Sequence, residues 1–172
     1  MSEEFFNVIK TKDLPAVGPY QRASAKPVEK LNQEIESLDL NGKTMTLVRS
    51  AAFLWHDHLD ASHDISQDLQ SSEGSFLHGI MHRREPDYPN AKYWFSRTGN
   101  HSCYPVLANR VKEYLDKVNK ELFSNCLVPD GCWDPFAFVD AVETAERTGE
   151  NLEILQNIQR LEFESLIESF LV

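Results

Sequence analysis

Glycine is scarce in this chain, seven in 172 residues, and no stretch alternates apolar and polar residues at period two. The two absences argue against a many-turned β architecture, which needs turn residues between strands and an apolar face along each. Cysteine is rarer. Cys103, Cys126 and Cys132 form an odd set without Cys-x-x-Cys spacing, so they read as reduced thiols in a reducing compartment. No apolar run approaches the ~18 residues of a membrane span. The first residues, Met-Ser-Glu-Glu-Phe-Phe, lack the basic region and apolar core of a signal peptide. The expected location is therefore the cytoplasm. Basic residues are outnumbered, 17 against 27 acidic, for a net charge of −10. Such a chain repels nucleic acid and anionic membranes, so neither is an expected partner. Gly-x-Ser-x-Gly, phosphate-loop and dinucleotide fingerprints are missing too. No reaction is announced by a motif.

What is present is helical periodicity. The length fits one domain, able to bury roughly 70% of the surface its unfolded chain exposes. Residues 1–26 carry Pro15, Gly18 and Pro19 with little periodicity and read as an irregular arm with a short helical stretch near Phe5–Ile9. From there apolar residues recur at helical spacing over 27–38, 43–69, 75–85, 90–98, 106–122, 134–148 and 151–172. Asp134-Pro135 is a strong start signal, a capping acid followed by proline in the first turn. Asn151 is a candidate cap for the last helix. That helix is apolar over a wide arc, which fits deep docking or a homodimer interface. The expectation is an all-α, compact single-domain bundle of about seven helices, with residues 27–172 as the domain.

All six histidines fall between His56 and His101. At about 100° per residue, a continuous 43–69 helix puts His58 within its apolar stripe, as a core histidine. It puts His56, Asp60, His63 and Gln67 on the opposite face. His78 and His82 stand one turn apart, the spacing a divalent cation needs, with Glu85 a further turn along. If the two helices pair, these faces can meet. Metal site, polar pocket without metal, and plain solvated surface all remain open for this cluster.

Basic residues join it. From Arg83 to Lys120 there are eight basic and four acidic residues, a local +4. From Asp134 to Val172 there are nine acidic and two basic, a local −7. The asymmetry can draw the two segments together or leave a cationic pocket on an acidic protein. On one helix face Asn90, Tyr93 and Arg97 recur at i, i+3, i+7, and arginine's planar fork suits carboxylate or phosphate. Arg84 falls on an apolar face and so needs a partner: Glu85, Asp87 or the acidic C-terminal segment. Cys103, close to His101, is a weaker candidate for a nucleophile.

The string His78-Gly79-Ile80-Met81-His82-Arg83-Arg84-Glu85-Pro86-Asp87, with Asn90-Ala91-Lys92-Tyr93-Trp94-Phe95 and Gly99-x-His101, resembles a bacterial and fungal family of hypothetical proteins. The resemblance covers roughly residues 56–105. It implies a compact helical protein and no particular chemistry. Ser102 stands where that family has proline. The helix pair over 76–97 also resembles one tetratricopeptide-type or Sel-type unit, through Leu77, Gly79, Ala91, Trp94 and Phe95. No second copy lies about 34 residues away.

The sequence thus points to a protein that binds or transforms a small anionic ligand. Arg83, Asn90, Lys92, Tyr93, Arg97 and His101 are its candidate ligand contacts. His63, His78 and His82 are candidate acid–base groups oriented by Glu85, with His78 and His82 as candidate ligands to a divalent metal. The competing class is a non-enzymatic helical interaction module with surface histidines.

Overall fold

Helix-start chemistry is the most legible layer of the computed structural model, which describes residues 2–171, with side chains from Phe5 onward. The Asn41 side chain accepts the Thr44 N–H, Ser71 accepts that of Gly74, and Asp134 accepts those of Phe136 and Ala137. Each satisfies donors that a helix start leaves orphaned. The elements run α1 (Ser2–Ile9), α2 (Val28–Glu36), α3 (Gly42–Trp55), α4 (Leu59–Ser66), α5 (Ser72–Arg84), α6 (Tyr88–Thr98), α7 (Tyr104–Lys117), α8 (Glu121–Leu127), α9 (Pro135–Thr148) and α10 (Leu152–Phe170). No strand occurs among the described residues. The protein is all-α.

Among the described residues ten helices stand where about seven were expected. One of the additional three is α1. The other two are α4, set off by a break inside the expected 43–69 helix, and α8, which follows a break near the end of the expected 106–122 helix and runs past it to Leu127. The expected 43–69 helix breaks at Asp57 (φ 65°) and the expected 106–122 helix at Asn119 (φ 56°). Asp and Asn tolerate this conformation better than other residues with a Cβ. Asn151 also has positive φ (60°). It stands before α10, but its side chain makes no cap bond and instead accepts from Lys120 Nζ.

The break at Asp57 is anchored by charge. Its buried carboxylate accepts from Arg84 at 2.8 Å and from Arg22 Nε at 2.8 Å. Arg84 also donates to the carbonyl oxygens of Leu54 and Gly18. The partner that Arg84 requires is thus Asp57, rather than Glu85, Asp87 or the C-terminal segment. The same break reverses the expected order of burial in the first histidine pair. His56 is buried and accepts the Lys26 N–H on Nδ1 at 2.9 Å. His58 is half-buried and donates from Nε2 to the Lys26 carbonyl at 2.7 Å.

α10 is the central helix and packs on α3, α7 and α9. Leu155, Ile158, Phe163, Leu166 and Ile167 are fully buried within the chain, which accounts for the wide apolar arc. The segment before α2 lies against this core: Phe5, Ile9 and Val17 are buried, and Gln159 donates to the Ala16 carbonyl at 3.1 Å. α5 and α6 fold back on each other as the most extensively packed pair. Gly79 permits that approach, because a Cβ there would meet the Phe95 ring at 3.0 Å. α4 lies beside α5 and is held to α3 by the buried Ser50–Ser62 hydroxyl pair at 2.8 Å. The wall formed by α4, α5 and α6 carries the site. No helix among the described residues is long and apolar enough to cross a membrane.

Candidate metal centre

Three of the six histidines converge. His63 from α4 and His78 and His82 from α5 each offer a ring nitrogen, and the three atoms lie within 4.8 Å of one another. His78 and His82 are one turn apart on α5, and their rings stack at 4.7 Å and 16°. His63 meets both edge-on, with centroids at 4.8 and 5.6 Å. Trp94 of α6 closes the other side, stacked on His78 at 3.8 Å and 14°. The histidines are held on three sides by helices rather than by loops.

The hydrogen bonds sort the ring nitrogens. His78 is 3% exposed, yet neither its Nδ1 nor its Nε2 has a partner. Burial, then the neighbouring His82 and His63, pushes its pKa down to about 3, so the ring is neutral near pH 7. A neutral imidazole buried without a partner forgoes hydrogen bonds it makes in water. His82 is also buried, with its pKa lowered by that burial against the opposing pull of Glu85. Its Nδ1 faces the Glu85 carboxylate at 2.9 Å. Neutral His82 therefore donates from Nδ1 and keeps an Nε2 lone pair. A carboxylate fixing the far nitrogen of an imidazole is the usual support behind a metal ligand.

The remaining candidate residues separate into those near this cluster and those directed elsewhere. Asn90 is near: its amide nitrogen lies 3.2 Å from His82 Nε2. Its own backbone N–H is capped by Asp87 at 3.4 Å. Arg83 points into the core. It is fully buried, bonded to Glu162 at 2.6 and 3.0 Å and to Gln159 at 3.1 Å, with its guanidinium 4.4 Å from the Phe138 ring centroid. Lys92 pairs with Asp140 at 2.5 Å. Tyr93 and Arg97 are exposed, Arg97 lying over the Tyr93 and Trp94 rings. His101 is buried against Phe76 and bonded to Cys103 at 3.1 Å. Burial pushes the Cys103 thiol up to about 12, the reverse of what a nucleophile needs. His56 lies outside the cluster.

Trp94 is the residue that sequence reasoning misses. Helical spacing puts it on the apolar side of α6, and it is half-buried there, but what it covers is an imidazole. The available signal is Asn90-x-x-x-Trp94, two side chains one turn apart that both reach the histidines of α5.

Comparison with family models, curated proteins and solved structures finds no match to the chain.

Proposed function

We propose that the protein is a metal-binding helical protein whose centre is His63, His78 and His82, carrying metal-assisted chemistry on a small ligand. The observation that supports this most is His78. It is buried beside two further histidines with both nitrogens unpartnered, and a metal ion bound at either one supplies one of the two missing partners. Three imidazoles suit zinc, cobalt, nickel, copper or ferrous iron, and do not suit magnesium or calcium, which take oxygen ligands. Metal–nitrogen bonds of about 2.0–2.1 Å in tetrahedral geometry place ligand atoms roughly 3.4 Å apart. Reaching that separation from the 4.8 Å spread requires the stacked His78 and His82 rings to turn so that their lone pairs meet. Three protein ligands leave a position for water or substrate, the pattern of catalytic rather than structural sites.

The anionic ligand expected from the sequence keeps a place in this reading, with a different anchor. Arg83 and Lys92 are engaged by Glu162 and Asp140, so the positive charge facing a ligand is that of the ion.

The test is metal analysis of protein purified without chelator, stripped, and reloaded with each of the five ions. One equivalent of metal is expected in the native protein. At least a hundredfold weaker binding is expected in His78→Ala and His63→Ala, with no change in His58→Ala. Native protein that takes up none of the ions would overturn the metal centre and leave the interaction-module reading.

A further inference from the structure

An ion shared by two imidazoles lies near the plane of each ring, along a nitrogen lone pair and about 2.0–2.1 Å from it. The rings of His78 and His82 stack at 4.7 Å with only 16° between their planes. Planes so nearly parallel meet nowhere within reach of both nitrogens, so one ring has to turn. Two contacts decide which. His82 Nδ1 is held to the Glu85 carboxylate at 2.9 Å, and turning that ring gives up a hydrogen bond to a charged group. His78 has no hydrogen bond at either nitrogen. What holds its ring is the indole of Trp94, stacked on it at 3.8 Å and 14°. A hydrogen bond to a charged group is the stronger of these two contacts, so His78 is the ring that turns.

Turned edge-on, His78 no longer fits beneath Trp94. Edge-to-face rings stand about 4.5–7 Å apart between centroids, against the 3.8 Å of the present stack. The indole therefore has to give way, and the outer side of α6 is where it can go. Trp94 is half-buried, and its chain neighbour Tyr93 and Arg97 one turn on are exposed. It meets the Tyr93 ring edge-on at 5.4 Å and has the Arg97 guanidinium 5.5 Å from its centroid.

We infer that Trp94 is a gate on the centre: coordination of a metal ion by His78 and displacement of the indole toward solvent are one event. Trp94 is not a ligand. It is a positioning residue that holds His78 in the stacked arrangement, and through it binding at α4 and α5 is transmitted to the exposed face of α6. The inference rests on the metal-centre reading and can fail separately from it.

Zinc is redox-inert, so on titration the tryptophan emission reports the side chains. Native protein is expected to bind one equivalent with a red shift of emission and stronger quenching by acrylamide. Trp94→Phe leaves Trp55 and Trp133, both buried, and is expected to bind zinc without either change. Trp94→Leu has no flat face to stack. It is expected to bind zinc about three- to tenfold more tightly than native in competition against a chelator, the factor that one aromatic stack contributes. Should Trp94→Leu not fold, the native protein and Trp94→Phe still decide. Stoichiometric zinc binding that leaves native emission and quenching unchanged would overturn the inference while the metal centre stands. So would the same spectral change in Trp94→Phe, or a folded Trp94→Leu that binds zinc no more tightly than native. Absence of zinc binding in the native protein would remove the metal centre and the inference with it.

Discussion

His56 and His78 are both buried imidazoles with lowered pKa values, and their partners give them different work. His56 accepts the Lys26 N–H and so joins the segment before α2 to the end of α3. Burial, with the cations Lys26 and Arg22 and the neighbouring His58, pushes its pKa down to about 4 against the Ile9 carbonyl, which pulls the other way. A folded-state value below the ~6.5 of the unfolded chain means that the unfolded state takes up the proton first. The contribution to stability is complete above pH 6.5 and falls as pH drops from 6.5 toward 4, at a limiting slope of about 1.4 kcal/mol per pH unit. In His56→Asn the side-chain oxygen can still accept from Lys26. Urea unfolding at pH 7 and pH 5 is expected to show a smaller acid loss in that variant than in native protein, by on the order of 1 kcal/mol. An equal loss in both would assign the acid sensitivity elsewhere. Glu85 is the counterpart on the metal side. It orients His82 without joining the histidine cluster, and Glu85→Gln is expected to weaken metal binding by about 10–100-fold, read by competition against a chelator. Of these residues the sequence displays the His78–His82–Glu85 spacing directly. It does not display that His78 lacks a partner, because that depends on what α4 and α6 bring to it.

At the scale of elements, legibility follows from how local the cause is. Capping acids and prolines act within one turn, so the starts of α6 and α9 can be read at Asp87-Tyr88-Pro89 and Asp134-Pro135. The breaks at Asp57 and Asn119 have no such local signature. Asp57 leaves the helix with its carboxylate bound to Arg22, 35 residues earlier, and to Arg84, 27 residues later, and no helical wheel contains those partners. Moving across that break explains why His56 leaves the cluster that a continuous helix assigns it to, while His63 remains. Packing of α5 on α6 supplies the element-scale prediction. Gly79→Ala gains helix propensity of about 1 kcal/mol, but its methyl meets three atoms of the Phe95 ring at 3.0–3.1 Å. That ring is itself confined by Phe76 and the Arg83 guanidinium. Overpacking at such a site costs typically 1–3 kcal/mol. Thermal unfolding of Gly79→Ala is therefore expected at a lower temperature than native, and Gly79→Val lower still. A Gly79→Ala protein more stable than native would mean that Phe95 yields readily and that helix propensity decides the sign.

Over the whole molecule, the charge asymmetry of the sequence resolves into contacts. Arg83, Lys92 and Arg110, from the basic segment, pair with Glu162, Asp140 and Glu168 of the acidic one, which joins α5, α6 and α7 to α9 and α10. The histidine cluster lies on the flank of α5 that faces the short α4, which packs on both α3 and α5. An ion shared by His63, His78 and His82 would tie α4 to α5 across the connection over residues 67–71, and metal binding should therefore be visible as stability of the entire fold. A ligand that binds only the native state adds RT ln(1 + [L]/Kd), about 2.7 kcal/mol at a hundred times Kd. For a domain of this size each kcal/mol moves the melting temperature by roughly 2–4 °C, so the native protein should melt about 5–10 °C higher with saturating metal. His63→Ala removes the α4 ligand and leaves the α5 pair, and its melting temperature should respond little at the same metal concentration. If the variant gained as much as native protein, the ion would be held by α5 alone and α4 would have no part in the centre. If metal lowered both melting temperatures, it would be binding histidines of the unfolded chain in preference to the folded cluster.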